Sequence, residues 1–191
     1  IPNLFRRLLA EGAMTAAFIP VFVEYLHGDK KHETQVFLSK FLTLLTLVAA
    51  GVTVVGILST DWIIHAFFSS RFQEVDGKVE LTIALTEWMW PYLFFVTLAS
   101  ILQALLNAHK VFGPSAFTPV LLNLSIIGCA VGFSDYFEDP SFGFILGFLV
   151  GGLVQISFQV PYFLKHTGLK LRFDFRIKHP GVRRVIFIMI P

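Results

Sequence analysis

The chain has 191 residues, of which 55% are hydrophobic and 15% charged, and its formal net charge is +2. Soluble domains carry about 25% charged residues, so this deficit, with a mean hydropathy of +0.71, points to a bilayer as the main solvent. The near-neutral balance gives no argument for nucleic acid, and a single cysteine, Cys129 in an apolar run, excludes a disulfide framework and any cysteine-based metal spacing.

The first segment runs roughly from Ile1 to Tyr25. It opens on Asn3-Leu4-Phe5-Arg6-Arg7-Leu8-Leu9-Ala10-Glu11-Gly12-Ala13 and continues through Pro20. Its uncharged part, Gly12–Val23, is too short to span alone, so the charged group is expected within the membrane or at its boundary. A turn is expected at His27-Gly28-Asp29-Lys30-Lys31. The second segment, Phe41–Ser59, is charge-free and long enough to cross, with Asp61-Trp62 marking an interface. The third runs from about Leu81 to Asn107, with Glu87 near its start and Trp88, Trp90 and Tyr92 expected as an aromatic belt. A break at His109-Lys110 and Gly113-Pro114 leads to the fourth, Phe117–Phe133. An acidic loop, Ser134–Pro140, precedes the fifth, Phe142–Leu164. The start at Ile1 and the apolar run stopping at Pro191 lead us to expect an internal piece of a longer membrane protein.

Lys30, Lys31, Lys40, Lys110, Lys165, Lys170, Arg172, Arg176, Lys178, Arg183 and Arg184 fall in loops on one side of this pattern. Arg71 and Lys78 fall on the other, beside six acidic residues. The positive-inside rule then makes the Lys/Arg-rich loops cytoplasmic. An all-α, polytopic helical membrane bundle follows.

A charge at membrane depth costs roughly 2.5–3.5 kcal/mol on insertion scales and normally faces a cavity or a partner. Arg7 and Glu11 are four apart and can pair on one helix face. Arg6 stands above the small residues Ala10, Ala13 and Ala17, which let a helix or ligand approach closely. Three readings are open: a cavity site, arginines snorkelling to the interface, or a structural ion pair. In a cavity, the planar guanidinium suits a phosphate or carboxylate, with lipid phosphate the leading candidate. Asn107 and Asn123, with Gln103, Gln155 and Gln159, are expected to hydrogen-bond between helices. Pro20, Pro91, Pro119, Pro161 and Gly151-Gly152 are expected to bend their segments and to sit on protein-facing or cavity-facing sides. Asp61 and His65 have i,i+4 spacing without a nucleophile nearby, so an interfacial pair is expected. No zinc, nucleophile-elbow or phosphate-loop motif is present, so the chain is read as a non-enzyme without metal or cofactor.

The residues of the opening motif, Pro2 to Ala13 with Ala17-Phe18-Ile19-Pro20-Val21, resemble the second helix of the MurJ (MviN) lipid II flippases. The resemblance continues in Pro91-Tyr92-Leu93, Leu98-Ala99-Ser100, Leu105-Leu106-Asn107, Pro114–Pro119, Leu121-Leu122-Asn123, Gly151–Gln155 and Gln159-Val160-Pro161. It implies an exporter of the multidrug/oligosaccharidyl-lipid/polysaccharide superfamily, with roughly fourteen helices in two lobes around a cavity. This chain would supply helices two to six of the N-terminal lobe (1–164), a basic cytoplasmic linker (165–184) and the truncated start of helix seven (185–191). The implied cargo is lipid II, moved from the cytoplasmic to the outer leaflet of the bacterial inner membrane by a protein that works as a monomer. Another polyprenyl-linked saccharide, or a scaffold for cell-wall synthesis, is the alternative. The resemblance makes Arg6 and Arg7 the pyrophosphate-binding residues and Glu11 part of the outer gate. Asn3, Asn107 and Asn123 become polar positions of the cavity or of helix packing.

Overall fold

A computed structural model describes residues 13–28, 31–68 and 77–189 of the chain. They form six helices and no strand: α1 (Ala13–His27), α2 (Lys31–Phe67), α3 (Lys78–Ala108), α4 (Gly113–Phe133), α5 (Ser141–Thr167) and α6 (Pro180–Met189). A single 3-10 turn, Ser134–Tyr136, follows α4. Four of these helices, α2 to α5, are long and apolar enough to cross a membrane. The expected all-helical membrane bundle is therefore what the chain forms.

The sequence pattern itself accounts for the helix ends. Gly77 (φ 71°) precedes α3, Pro114 sits in the first turn of α4, and Gly168 (φ 62°) terminates α5 after Lys165 and His166. Proline suits a first turn, where its missing N–H is no loss. The left-handed glycine and the basic residues suit the carbonyl end of a helix.

Helix α2 extends well beyond the segment expected from hydropathy. At 1.5 Å rise per residue its 37 residues measure about 55 Å, against a hydrocarbon core of about 30 Å. Ten of the extra residues precede Phe41, where Lys31–Lys40 forms a helical projection beyond the charge-free run, and eight follow Ser59. Charge alone places the boundary at Lys40, but the helix continues because Thr34, Phe37 and Leu38 are buried by neighbouring elements.

Antiparallel and parallel neighbours alternate as in an up-and-down bundle. Trp90 of α3 meets Gly56 and Thr60 of α2, and Gly147 and Gly151 of α5 meet Ile126 and Leu122 of α4. Phe95 packs on Gly152, and Tyr92 on Phe148, so α3 and α5 run parallel. The helices remain continuous through Pro20, Pro91, Pro119 and Pro161. Pro20, Pro119 and Pro161 lie on the side that the described helices leave open, and Pro91 is half-buried.

The core lies toward the basic end, where α1, α2, α3, α5 and α6 converge. Phe18 stacks on Phe41 at 4.3 Å, on Phe22 at 5.3 Å and on Phe37 at 5.9 Å between ring centroids. Leu105, Leu106, Phe163, Val182 and Val185 complete it. The trp-rich stretch of α3 differs from the expected belt. Trp90 is 1% and Tyr92 5% exposed, and only Trp88 faces outward. Helix periodicity explains this: Trp90 takes the α2-facing side, two residues from Trp88 and therefore on a different face.

The basic linker expected over 165–184 is divided. Residues 168–179 form an extended strap along the projecting start of α2, and α6 begins at Pro180. Gln35 Nε2 donates to the Lys170 carbonyl and Gln35 Oε1 accepts from its N–H, both at 2.7 Å. The Asp174 N–H donates to Thr43 Oγ1 (2.8 Å), and Lys40 Nζ donates to the Lys178 carbonyl (3.3 Å) and lies 3.9 Å from Asp174. Arg184 of α6 makes a two-pronged ion pair with Glu24 of α1. Gly181 lets α6 sit directly on Phe37 and Tyr25, since a Cβ there would lie 2.7 Å from the Phe37 ring.

Candidate functional site

Asn3, Arg6, Arg7 and Glu11 lie outside the described residues. The two remaining positions singled out from sequence, Asn107 and Asn123, lie apart. Asn107 is half-buried in the last turn of α3, where its carbonyl accepts the Lys110 N–H at 2.9 Å. Its side-chain Oδ1 is buried with no hydrogen-bond partner among the described residues. Asn123 is exposed midway along α4. Its exposure puts an amide at membrane depth on the open side of the helix, where lipid could not satisfy it. A partner helix or a cavity is the environment such a residue requires.

What the structure brings together is a polar seam between α3, α4 and α5. Gln103 Nε2 donates to the Ser115 carbonyl at 3.4 Å, and Ser115 Oγ returns a 3.5 Å contact to the Gln103 carbonyl. Ser115 is the residue whose carbonyl Pro119, four residues on, cannot engage, so a side chain from the preceding helix, α3, takes the place of the missing backbone donor. Gln155 Nε2 crosses from α5 to the Thr118 carbonyl at 3.1 Å, and Gln159 Nε2 donates one turn back to the Gln155 carbonyl at 3.2 Å. Gln155 is 4% and Gln159 0% exposed, and both keep a buried Oε1 without a partner among the described residues. Gln103 and Gln155 thus bond between helices as expected, whereas Gln159 bonds within its own helix.

Sequence reasoning missed how α5 approaches α4. A Cβ at Gly147 would lie 2.5 Å from Ile126 Cα, and one at Gly151 would lie 2.6 Å from Leu122 Cδ1. The signal was legible in principle: Gly143, Gly147 and Gly151 recur every four residues, the small-residue spacing that brings membrane helices into backbone contact. Gly151-Gly152 serves packing on α4 and α3 within an unbroken helix.

Asp61 and His65 form the expected exposed pair, with Nδ1 3.5 Å from Asp61 Oδ1 and 2.9 Å from its carbonyl. Cys129 is buried, and no cluster of His, Cys, Asp and Glu among the described residues could hold a metal.

Membrane-length helices packed through glycines and glutamines, with charged residues only in the first ten or last seven residues of each described span, define a multi-pass α-helical membrane protein. The family model described as "Lipid II flippase MurJ" matches residues 1–191, and the chain belongs to that family. It is 36% identical over 197 residues to the probable lipid II flippase MurJ of Vibrio cholerae, covering 100% of this chain and 37% of that protein. It is 36% identical over 209 residues to the probable lipid II flippase MurJ of Treponema pallidum, covering 100% of this chain and 36% of the relative. The lipid II flippase MurJ of Burkholderia cenocepacia is 35% identical over 198 residues, again with 100% of this chain and 37% of the relative covered. The chain thus spans little more than a third of the length of the curated relatives it matches.

Proposed function

We propose that this chain is part of a flippase for lipid II, the undecaprenyl-pyrophosphate-linked precursor of peptidoglycan. The cargo crosses from the cytoplasmic to the outer leaflet of the bacterial inner membrane by alternating access, with the Lys/Arg-rich end of the bundle in the cytoplasm. The observation that carries this reading is the family match over the whole chain, residues 1–12 with their paired arginines included.

In this reading Arg6 draws the pyrophosphate into a water-filled cavity, where each charge offsets the cost of burying the other. Its planar fork donates two parallel hydrogen bonds to phosphate oxygens, and Arg7 supports it from the adjacent position. Glu11 holds the outer gate shut by pairing with Arg7 or with a cation elsewhere in the protein, until cargo binds and the lobes rock about the site. The protein moves its substrate without making or breaking a covalent bond, and works as a monomer.

Arg6→Ala in the full-length protein is expected to abolish growth of a flippase-depleted strain at normal expression. Full growth of that variant would remove Arg6 from the mechanism. Arg6→Lys separates geometry from charge: poor growth indicates bidentate recognition, and normal growth indicates that a point charge suffices.

A further inference from the structure

The strap and α6 place cations and exposed apolar side chains in an arrangement that transport through a central cavity does not use. Between residues 165 and 189 there are seven lysines and arginines and one acidic residue, Asp174. Most of the strap from Arg172 to Lys178 is exposed. Asp174 is turned to α2, where Thr43 holds its N–H and Lys40 faces its carboxylate, while the residues on either side, Phe173 and Phe175, are 65% and 75% exposed. On α6, Val182 and Val185 are buried against the bundle, whereas Phe187 is 78% exposed. A groove of about 850 Å³ between the strap and α6 is lined by Leu44, Ile177, Ile186 and Phe187 together with the cations Lys178, Arg183 and Arg184. Neither Lys178 nor Arg183 has an ion-pair partner among the described residues, in contrast to Arg184.

Leu44 fixes the depth of this groove. It stands just inside the charge-free run of α2, four residues after Lys40, so the groove opens where acyl chains give way to headgroups. Aromatic side chains prefer that layer, and basic side chains beside it attract anionic lipid. An apolar groove beside two cations unpaired among the described residues matches an acyl chain below an anionic headgroup.

We propose that the strap and α6 form a binding site for anionic phospholipids of the adjacent leaflet, with the lipid phosphate held by Lys178 and Arg183 and the upper acyl chain lying in the groove against Phe187. The site is distinct from Arg6 and carries lipid as a resident ligand, so the proposal stands or falls apart from the identity of the transported cargo.

The test uses the full-length protein in bilayer nanodiscs with spin-labelled phosphatidylglycerol or phosphatidylcholine, and reads the motionally restricted fraction of each lipid. The wild type is expected to prefer phosphatidylglycerol. Combined Lys178→Gln and Arg183→Gln should reduce that preference several-fold, since each neutralised cation near the surface is worth about fivefold at most. Combined Lys178→Arg and Arg183→Lys should retain it, which separates lost charge from misfolding. Millimolar inorganic phosphate should leave the preference intact. Displacement by inorganic phosphate would make this a soluble-anion site, and an unchanged preference in the glutamine variant would mean that another part of the protein covers the groove. Either result, or a wild type without preference, overturns the proposal.

Discussion

The two ends of the bundle are held by different chemistry. At the basic end, α1, α2, α5 and α6 close around stacked phenylalanines, and a strap is pinned to α2 by side chains reaching its backbone. At the other end there is no strap among the described residues, and helix pairs are held by close backbone approach and one buried indole. Trp90 Nε1 donates to Thr60 Oγ1 at 2.8 Å, Thr60 Oγ1 donates to the Gly56 carbonyl at 2.7 Å, and a Cβ on Gly56 would come within 2.3 Å of the Trp90 ring. The Lys31–Lys40 turns and the strap lie beyond the charge-free run of α2, where burial of Phe37 and Leu38 can draw on the hydrophobic effect. Within lipid that driving force is absent, and fit and hydrogen bonding must do the holding. Substitutions should therefore act by different routes at the two ends.

The largest effect is expected at Gly147. A leucine there would drive its Cβ into the Ile126 backbone, which cannot give way as a flexible side chain can. Overpacking costs about 1–3 kcal/mol and occasionally more, so Gly147→Leu should prevent recovery of a monodisperse protein from detergent. Normal yield and thermal stability would mean that α4 and α5 pack less closely than the structure shows. A matched pair on α2 comes next. Gly56→Ala meets the indole of Trp90, whereas a Cβ at Gly51, five residues earlier, has nothing within 4 Å. The first should lower thermal stability clearly. The second should be neutral or slightly stabilising, because alanine costs less backbone entropy in a helix. Trp90→Phe should fall between them: losing the bond to Thr60 costs about 1 kcal/mol, with some lost packing added.

These contrasts also explain what was legible in the sequence. The spans from α3 to α5 were readable because the membrane demands long apolar runs between charged loops, and Phe117–Phe133 or Phe142–Leu164 have no other plausible reading. The start of α2 was not readable, because Lys31–Lys40 is polar enough to pass for loop and becomes helical through burial of Phe37 against α1 and α6. The strap was hidden for the same reason: its hydrogen bonds to Gln35 and Thr43 join positions more than 130 residues apart. Trp90 was misread because a belt and a core contact use the same residue type, and only helix phase separates them. Of the candidate site, the motif from Asn3 to Glu11 was visible as misplaced charge, while the seam from Gln103 to Gln159 needed the packing of three helices to assemble it.

A smaller effect, confined to the basic end, is expected from pH. His179 caps α6 by accepting the Gly181 N–H on Nδ1 at 3.2 Å, and its ring lies 5.7 Å from those of Tyr25 and Phe37. Burial pushes its pKa below the ordinary 6.5, Lys40 adds to this, and Glu33 opposes it. The folded state therefore binds fewer protons than the unfolded state over the window below 6.5. The stabilisation is complete above that pH and is lost as pH falls through the lowered value. Amide exchange across residues 168–189 should accelerate as pH falls through this window, after correction for the intrinsic rate. His179→Asn, which can cap without titrating, should remove the dependence, and its persistence in that variant would place the titrating group elsewhere.

The weakest of these contacts is the one that looks strongest on a surface map. Arg184 and Glu24 are each 58% exposed, and exposed pairs contribute about 0–1 kcal/mol, less as salt rises. Arg184→Gln alone should thus shift thermal stability only slightly, and Glu24→Arg with Arg184→Glu should restore most of any loss. If Arg184→Gln instead released α6 outright, seen as full exchange of its amides, the ion pair rather than Gly181, Val182 and Val185 would be holding that helix. The basic end would then depend on charge, and its contrast with the glycine-joined end would be one of electrostatics against packing rather than of water against lipid.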